Sequence, residues 1–82
     1  MRILIADDHA IVRRGLSEIL LEEYPSAFVE EVGNADTLLN RALADNWDIV
    51  ISDLMMPGRS VLEVLQQIRQ HAAQLPVLIL SI

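Results

Sequence analysis

The sequence contains no cysteine and no lysine, and both absences restrict the chemistry available to the chain. Without cysteine it has no disulfide framework, no thiolate nucleophile and no cysteine-based zinc site. Without lysine every basic side chain is an arginine, so this chain alone cannot supply a lysine to a catalytic site. Only two histidines are left as nitrogen ligands, which makes zinc hydrolysis a poor hypothesis.

Long hydrophobic runs are also missing, although 52% of the residues are hydrophobic. The longest runs have the length of a β-strand, whereas a membrane-spanning helix needs about 20 consecutive apolar residues. The N-terminal run meets Asp7 and Asp8 too early for a secretory signal peptide. Together with the absence of cysteine, these features predict a cytoplasmic protein without a membrane segment.

The 82 residues carry a formal net charge of −6, which narrows the class of partner. A chain of this length suits one small domain, and its hydrophobic content predicts a packed core rather than disorder. Nucleic acid is a poor direct partner, because phosphate neutralisation needs clustered positive charge. Acidic side chains instead favour a divalent cation or a basic partner.

Short apolar runs of strand length alternate with amphipathic stretches of helical period. The predicted strands are Arg2–Ala6, Phe28–Val32, Asp48–Asp53 and Val77–Leu80. The predicted helices contain Ile11 to Leu20, Leu38 to Leu43 and Leu62 to Ala72. This βαβαβαβ order predicts an α/β fold, with right-handed crossovers and helices on both faces of a parallel sheet. Two adjacent glutamates suggest that the second strand lies at an edge, and continuous β-branched residues suggest that the third is central.

Polar residues precede each predicted helix and suggest capping interactions. Asp8 is placed to cap the first helix, and Asp36 or a neighbour is placed to cap the second. Ser60 and Glu63 have the spacing of a capping box at the start of the third helix.

Polar residues also follow three predicted strands at their carboxyl ends, where open parallel sheets bind ligands. Asp7 and Asp8 follow the first strand, Asp53 ends the third and Ser81 follows the fourth. If the first and third strands are neighbours, the three carboxylates meet in one crevice and repel one another. Such oxygen ligands favour Mg²⁺, which leaves room for a phosphate oxygen, and an aspartate can be the nucleophile of phosphoryl transfer.

Each of these residues also has a purely structural interpretation. Asp8 could be only a helix cap, and Asp53 could begin an Asx-turn before Met56-Pro57-Gly58. His9 is expected at the surface of a helix start, and Met55 and Met56 could be apolar filler. The joint placement of the acids on one rim favours the functional interpretation. The sequence has no G-x-G-x-x-G motif after its first strand, no P-loop and no G-x-S-x-G elbow.

Three segments together resemble the receiver domain of two-component response regulators: ILIADDHAIVRRGL, DIVISDLMMPG and LPVLILS. The D-D-H start and the V-R-R-G-L helix are most similar to receivers of the NarL/FixJ type. The resemblance runs through all 82 residues. It implies a flavodoxin-like, doubly wound sheet of strand order 2-1-3-4, in which residues 1–82 form the N-terminal two-thirds of a receiver.

The resemblance also implies a role for each candidate site residue. Asp53 is the expected acceptor of a phosphoryl group from the phosphohistidine of a sensor histidine kinase. Asp8 is expected to bind Mg²⁺ directly, Asp7 through water and Met55 through its backbone carbonyl. Ser81 takes the place of the switch hydroxyl that bonds the phosphoryl group. The first helix is expected to form much of the kinase-docking face.

The chain departs from the family pattern in its length, its lack of lysine and Val61, which stands where the family tends to have glycine. Receivers have a fifth strand, two further helices and a site lysine, and those of this type precede a DNA-binding output domain. The chain is therefore expected to be part of a longer regulator. An exposed apolar edge at Val77 to Leu80 would otherwise pair with another chain, which predicts a homodimer or an edge-paired oligomer.

Three functions are compatible with the sequence. The first is a signalling receiver, not an enzyme, which is phosphorylated with Mg²⁺ and regulates transcription through an output domain elsewhere. The second is a protein-interaction or dimerisation module that docks a kinase or another receiver without switching. The third is a Mg²⁺-dependent phosphatase of the haloacid-dehalogenase type. It is disfavoured because such enzymes need a second aspartate two residues after the nucleophile, where Met55 stands.

Overall fold

A computed structural model describes residues 1–80, in which four strands alternate with three helices. The strands are β1 (Arg2–Ala6), β2 (Phe28–Val32), β3 (Ile49–Asp53) and β4 (Val77–Leu80). The helices are α1 (Ala10–Glu23), α2 (Ala35–Ala44) and α3 (Val61–His71). The predicted order of elements is confirmed, with β3 beginning one residue later than expected. Within these residues no helix has both the length and the apolar character needed to cross a membrane.

The four strands form one parallel sheet in the order β2-β1-β3-β4. Strand β1 pairs with both β2 and β3, and β3 also pairs with β4. The direction of winding thus reverses between β1 and β3, where open α/β sheets place their ligands. The prediction of a doubly wound sheet of order 2-1-3-4 is confirmed, as are the edge position of β2 and the central position of β3.

The face of the sheet under α2 and α3 carries the larger core. Leu4 of β1 and Val50 of β3 are fully buried on this face. They share one apolar cluster with Leu38 of α2 and with Val64 and Ile68 of α3. Because burial of one such side chain contributes about 1.5–3 kcal/mol, this face supplies most of the hydrophobic stabilisation.

The opposite face is covered by α1 in the part of the chain that the structure describes. Its buried apolar residues are Ile3, Ile5 and Ile51, and Leu16 and Leu20 of α1 pack against them. Leu78 of β4 lies opposite Ile51 in the sheet, and it is 50% exposed. On the other face of β4, Ile79 is 37% exposed. Among the described residues, β4 is therefore the apolar, partly uncovered edge that the sequence predicted.

The starts of α1 and α3 differ from the capping that the sequence suggested, whereas the start of α2 agrees with it. His9, not Asp8, is the N-cap residue of α1, and its side chain makes no capping hydrogen bond. The prediction that Asp36 or a neighbour caps α2 is confirmed for Asn34, whose Oδ1 accepts a bond from the amide three residues later at 2.8 Å. Ser60 occupies the N-cap position of α3 without a side-chain bond, so the predicted capping box is not formed. The helix-cap interpretation of Asp8 is therefore wrong.

At the amino ends of the strands, Arg2 joins β1 to its neighbours. Its guanidinium carbon lies 4.5 Å from the centroid of the Phe28 ring and 5.0 Å from that of Trp47. The guanidinium also pairs with the Asp45 carboxylate at 3.2 Å. The Arg2 backbone amide donates to Asp48 Oδ2 at 2.7 Å. Both acids therefore have partners at this end of the sheet.

Candidate functional site

The site lies where β1 and β3 end side by side. In the parallel register Ala6 lies opposite Ser52, so the next residues, Asp7 and Asp53, lie side by side at the same edge of the sheet. Asp8 follows in the loop that connects β1 to α1. The strand order and register thus bring together the three acids that the sequence placed at strand ends.

The carboxylates of Asp7, Asp8 and Asp53 form one compact group with the His9 ring. One ligand atom of each residue lies within 4.8 Å of the others. Asp7 is only 5% exposed, whereas Asp8 is open to solvent and Asp53 is half-buried. Within residues 1–80 no arginine forms an ion pair with any of these carboxylates. Like charges this close repel one another, most strongly where burial lowers the dielectric constant.

The sequence suggested only a surface position for His9, whereas the structure also places its ring against two of the acids. Its Nδ1 lies 3.0 Å from Asp7 Oδ1 and 3.1 Å from Asp8 Oδ1, although the ring is largely exposed. The hydrogen bond with Asp7 raises the pKa of His9 above its usual 6.5, and the charges of Asp8 and Asp7 raise it further. The expected surface position is confirmed, but the protonated ring also offsets part of the acidic charge. Its place directly after two acids was the signal for this contact.

Backbone hydrogen bonds hold the loop that carries Asp7 and Asp8. Asp7 N donates to Val32 O at 3.1 Å, which extends the β1–β2 pairing by one residue. His9 N donates to Asp7 Oδ1 at 2.8 Å, so one oxygen of this carboxylate bonds to its own loop. In the described part of the chain the ion-pair partner of Asp8 is the exposed His9 ring. The Asp8 carboxylate is therefore accessible to a ligand.

The loop after β3 holds Asp53 through a tight turn. Met55 N donates to Asp53 Oδ1 at 3.2 Å, which is the Asx-turn that the sequence suggested. Met55 is 78% exposed, so its interpretation as apolar filler is wrong, whereas Met56 is partly buried and packs against the core. Pro57 O accepts a hydrogen bond from Ala35 N at 3.2 Å, and Gly58 adopts a φ of 95° that few other residues tolerate. This geometry directs the chain away from Asp53 and anchors it at the start of α2.

The donor set at this edge suits a hard divalent cation. It consists of three carboxylates with one imidazole, and carboxylate oxygens are the ligands that Mg²⁺ prefers. A bound cation would also relieve the repulsion among the carboxylates. Ser81, the remaining predicted site residue, lies outside the described residues. The arrangement can thus bind a cation and present a carboxylate as a nucleophile.

Similarity to known proteins decides the family. Residues 3–82 match the model of the response regulator receiver domain. The chain belongs to the response-regulator receiver family. This receiver is 38% identical over 80 residues to the transcriptional regulatory protein ResD of Bacillus subtilis (strain 168), a match that covers 98% of the receiver and 32% of ResD. The resemblance found in the sequence is confirmed.

Solved receiver structures share the architecture. TrrA of Thermotoga maritima, crystallised in complex with Mg²⁺ and BeF, superposes with a TM-score of 0.89 at 35% identity, over 98% of this receiver and 68% of the TrrA chain. TrrA in complex with the histidine kinase ThkA gives a TM-score of 0.86 at 35% identity, over 98% and 67% of the two chains. The response regulator RcsB in a DNA complex gives 0.85 at 29% identity, over 99% and 42%.

Family membership establishes a signalling domain of the two-component class. The receiver spans 32% of ResD, so about two-thirds of that relative lies outside the matched segment. The family match therefore applies to the receiver segment of such regulators.

Proposed function

We propose that this receiver accepts a phosphoryl group on Asp53 from the phosphohistidine of a sensor histidine kinase, in a Mg²⁺-dependent reaction. The observation that carries the proposal is the meeting of three carboxylates, with ligand atoms within 4.8 Å, at the ends of two adjacent strands. The similarity to TrrA supports the ion and the partner class, because TrrA was crystallised with Mg²⁺ and BeF and also with a histidine kinase.

Asp53 is the group that reacts. One of its carboxylate oxygens attacks the phosphorus atom while the P–N bond of the phosphohistidine breaks, and the kinase imidazole leaves with the electron pair. The product is an acyl phosphate on Asp53. The end of β3 positions the carboxylate, and the Met55 amide, 3.2 Å from Asp53 Oδ1, sets its orientation.

The other acids serve the cation. Asp8, Asp53 and the Met55 carbonyl would hold Mg²⁺ directly, and Asp7 would act through water. When bound, the ion neutralises charge on the phosphoryl oxygens and on the carboxylates. The burial of Asp7 and its bond within its own loop fit a supporting role, whereas Asp8 is accessible. Ser81 is assigned the switch hydroxyl that bonds the phosphoryl group.

The partner class follows from the exposed face of α1 and from the relatives. Ile11 is 88% exposed and Val12 is 41% exposed, so α1 offers an apolar surface beside the acid site on which a kinase can dock. ResD is a transcriptional regulatory protein, and RcsB was crystallised with DNA. The proposed output is therefore regulation of transcription through a DNA-binding domain outside these 82 residues. The proposed location of the receiver is the cytoplasm. The acidic receiver itself makes no DNA contact.

A second candidate function is a non-switching interaction module that associates through β4. The observation in its favour is the edge position of β4 in the described sheet, with Leu78 50% exposed and Ile79 37% exposed. Such an edge can pair with the same strand of another copy. Light scattering distinguishes the two states: a mass near 9.2 kDa contradicts association, and about twice that mass supports it.

Incubation with acetyl phosphate and MgCl₂, followed by intact-mass measurement, tests the proposed phosphorylation. The wild type is expected to gain the mass of one phosphoryl group, and EDTA is expected to prevent the gain. Asp53→Ala should gain none. The matched control Asp48→Ala, which changes the acid just before β3, should be modified like the wild type. An unmodified wild type, or a modified Asp53→Ala variant, would contradict the proposal.

A further inference from the structure

Arg13 of α1 reaches back to the backbone of the acid loop. Its Nη1 donates to Asp7 O at 2.7 Å, and its Nε donates to Glu31 Oε1 at 3.0 Å. The side chains of Arg13 and Glu31 are 22% and 26% exposed, so this interaction is partly shielded from water. Arg13 thereby ties together the first turn of α1, the loop after β1 and the carboxyl end of β2.

The Asp7 carbonyl depends on this contact. Asp7 is 5% exposed, and a buried carbonyl without a partner costs free energy. Since Asp7 N already donates to Val32 O at 3.1 Å, Arg13 completes the backbone hydrogen bonding of this residue. With both backbone groups bonded, the direction in which the chain continues into Asp8 is restrained.

Gly33 makes room for the guanidinium. A Cβ atom at this position would lie 3.1 Å from Arg13 Nη1 and 3.9 Å from Asp7 O. The backbone of Gly33 does not have a positive φ, so its conformation alone would accept alanine. A side chain at position 33 would therefore crowd the contact between Arg13 and Asp7.

We propose that Arg13 is a positioning residue for the Mg²⁺ site. By bonding the Asp7 carbonyl and Glu31, it holds the Asp7–Asp8 segment in the arrangement that binds the cation. It acts through the backbone and is not a ligand. The inference rests on the proposed function, because it assigns Arg13 to that same site.

Arg14 is a matched control for charge. It follows Arg13 directly, its side chain is 73% exposed, and its Nε lies 3.8 Å from Glu31 Oε2. Loss of either arginine removes one positive charge near an acidic site, which by electrostatics alone strengthens cation binding. Loss of the positioning contact weakens it instead. If Arg13 acts only through its charge, its loss should lower the Kd of Mg²⁺. If it acts as a positioning residue, its loss should raise the Kd.

Titration of the 82-residue chain with MgCl₂, followed by backbone-amide NMR, measures the effect, with thermal unfolding of each variant alongside. Arg13→Met is expected to raise the Kd of Mg²⁺ about tenfold, as is usual for groups that orient metal ligands. Arg14→Met should leave the Kd unchanged or lower it. Gly33→Ala should raise the Kd by a smaller factor than Arg13→Met, with little net change in unfolding midpoint, because the lower entropy of the unfolded alanine chain offsets the weakened Arg13–Asp7 contact.

The Gly33→Ala variant separates positioning from a merely structural role, since it weakens cation binding with little net change in the stability of the fold. It also decides the question if Arg13→Met does not fold. An unchanged Kd in Arg13→Met, or equal changes in the two arginine variants, would overturn the inference and leave the proposed function standing. An unchanged Kd in Gly33→Ala would also overturn it. Failure of the wild type to bind Mg²⁺ would overturn both.

Discussion

The two ends of the sheet differ in how their acids are partnered. At the amino ends of the strands, Arg2 pairs with Asp45 at 3.2 Å, and its amide donates to Asp48 at 2.7 Å. Its guanidinium also lies 5.0 Å from the ring centroid of Trp47. Charge, hydrogen bonding and aromatic packing therefore support one another at this end.

At the carboxyl ends of β1 and β3, the acids have no arginine as an ion-pair partner among the described residues. Asp7, Asp8 and Asp53 meet there, and in the described residues the exposed His9 ring is the ion-pair partner of the first two. No arginine pairs with any of the three within residues 1–80, although Arg13 bonds the backbone of the same loop. The comparison separates acids that hold the fold together from acids gathered at the proposed cation site, and functional sites commonly sacrifice stability in this way.

The largest expected difference between the two ends is in core stability. Trp47 is 8% exposed and its Nε1 donates to Arg41 O at 2.9 Å. Trp47→Ala should therefore lower the free energy of unfolding by about 3–5 kcal/mol. Met55→Ala, at the carboxyl end and 78% exposed, should change it by less than about 0.5 kcal/mol. Urea denaturation measures both, and similar losses would contradict the distinction.

A cation should stabilise the carboxyl end selectively. A ligand at about 100 times its Kd stabilises the folded state by about 2.7 kcal/mol. MgCl₂ should therefore raise the unfolding free energy of the wild type and of Asp48→Asn by a similar amount. Asp8→Asn should lose most of this gain, because it replaces a carboxylate that we propose as a direct ligand of the ion. An undiminished gain in Asp8→Asn would count against the assigned ligand.

Neutralising one acid at each end of β3 should change the free energy of unfolding in opposite directions. In EDTA, Asp53→Asn should raise the unfolding free energy slightly, by up to about 0.5 kcal/mol, because it relieves like-charge repulsion. Asp48→Asn should lower it by about 1 kcal/mol, because it weakens a charged acceptor of the Arg2 amide. Changes of the same sign in both variants would remove the basis for contrasting the two ends.

The smallest expected effect is a change in the pKa of the His9 ring when Mg²⁺ binds. Because its folded-state pKa is raised above 6.5, protonation of His9 adds stability that is present below the unfolded value and is lost as the pH rises through the folded one. Mg²⁺ should lower this pKa, since it takes up the negative charge that raises it. NMR titration of the ring with and without MgCl₂ measures the change, with the His71 ring of α3 as a distant reference. An unaltered His9 titration would contradict a shared site.

The fold could be predicted because hydrophobic period and strand-end chemistry agree along the chain. The alternation of strands and helices predicted a parallel sheet, and the β-branched run before Asp53 indicated a central strand. The meeting of Asp53 with Asp7 then required only that β1 and β3 be neighbours. The assigned role of Ser81 stays a prediction, because that residue lies outside the described part of the chain.

The local contacts could not be predicted because they depend on tertiary geometry. Asp8 has the sequence position of a helix cap, but the chain enters α1 one residue later, so His9 occupies that place. The bond from Arg13 to the Asp7 carbonyl joins residues six positions apart, and its second partner, Glu31, lies on another strand. Helical period marks Arg13 only as a polar surface residue.

The most direct test of the central claim is to locate the phosphoryl group. After incubation with acetyl phosphate and MgCl₂, borohydride reduces an aspartyl phosphate to homoserine, which peptide mass spectrometry assigns to one position. The account predicts homoserine at position 53, dependent on Mg²⁺, with Asp45 and Asp48 unmodified at the other end of the sheet. Homoserine at another position, or none at position 53 under these conditions, would contradict it.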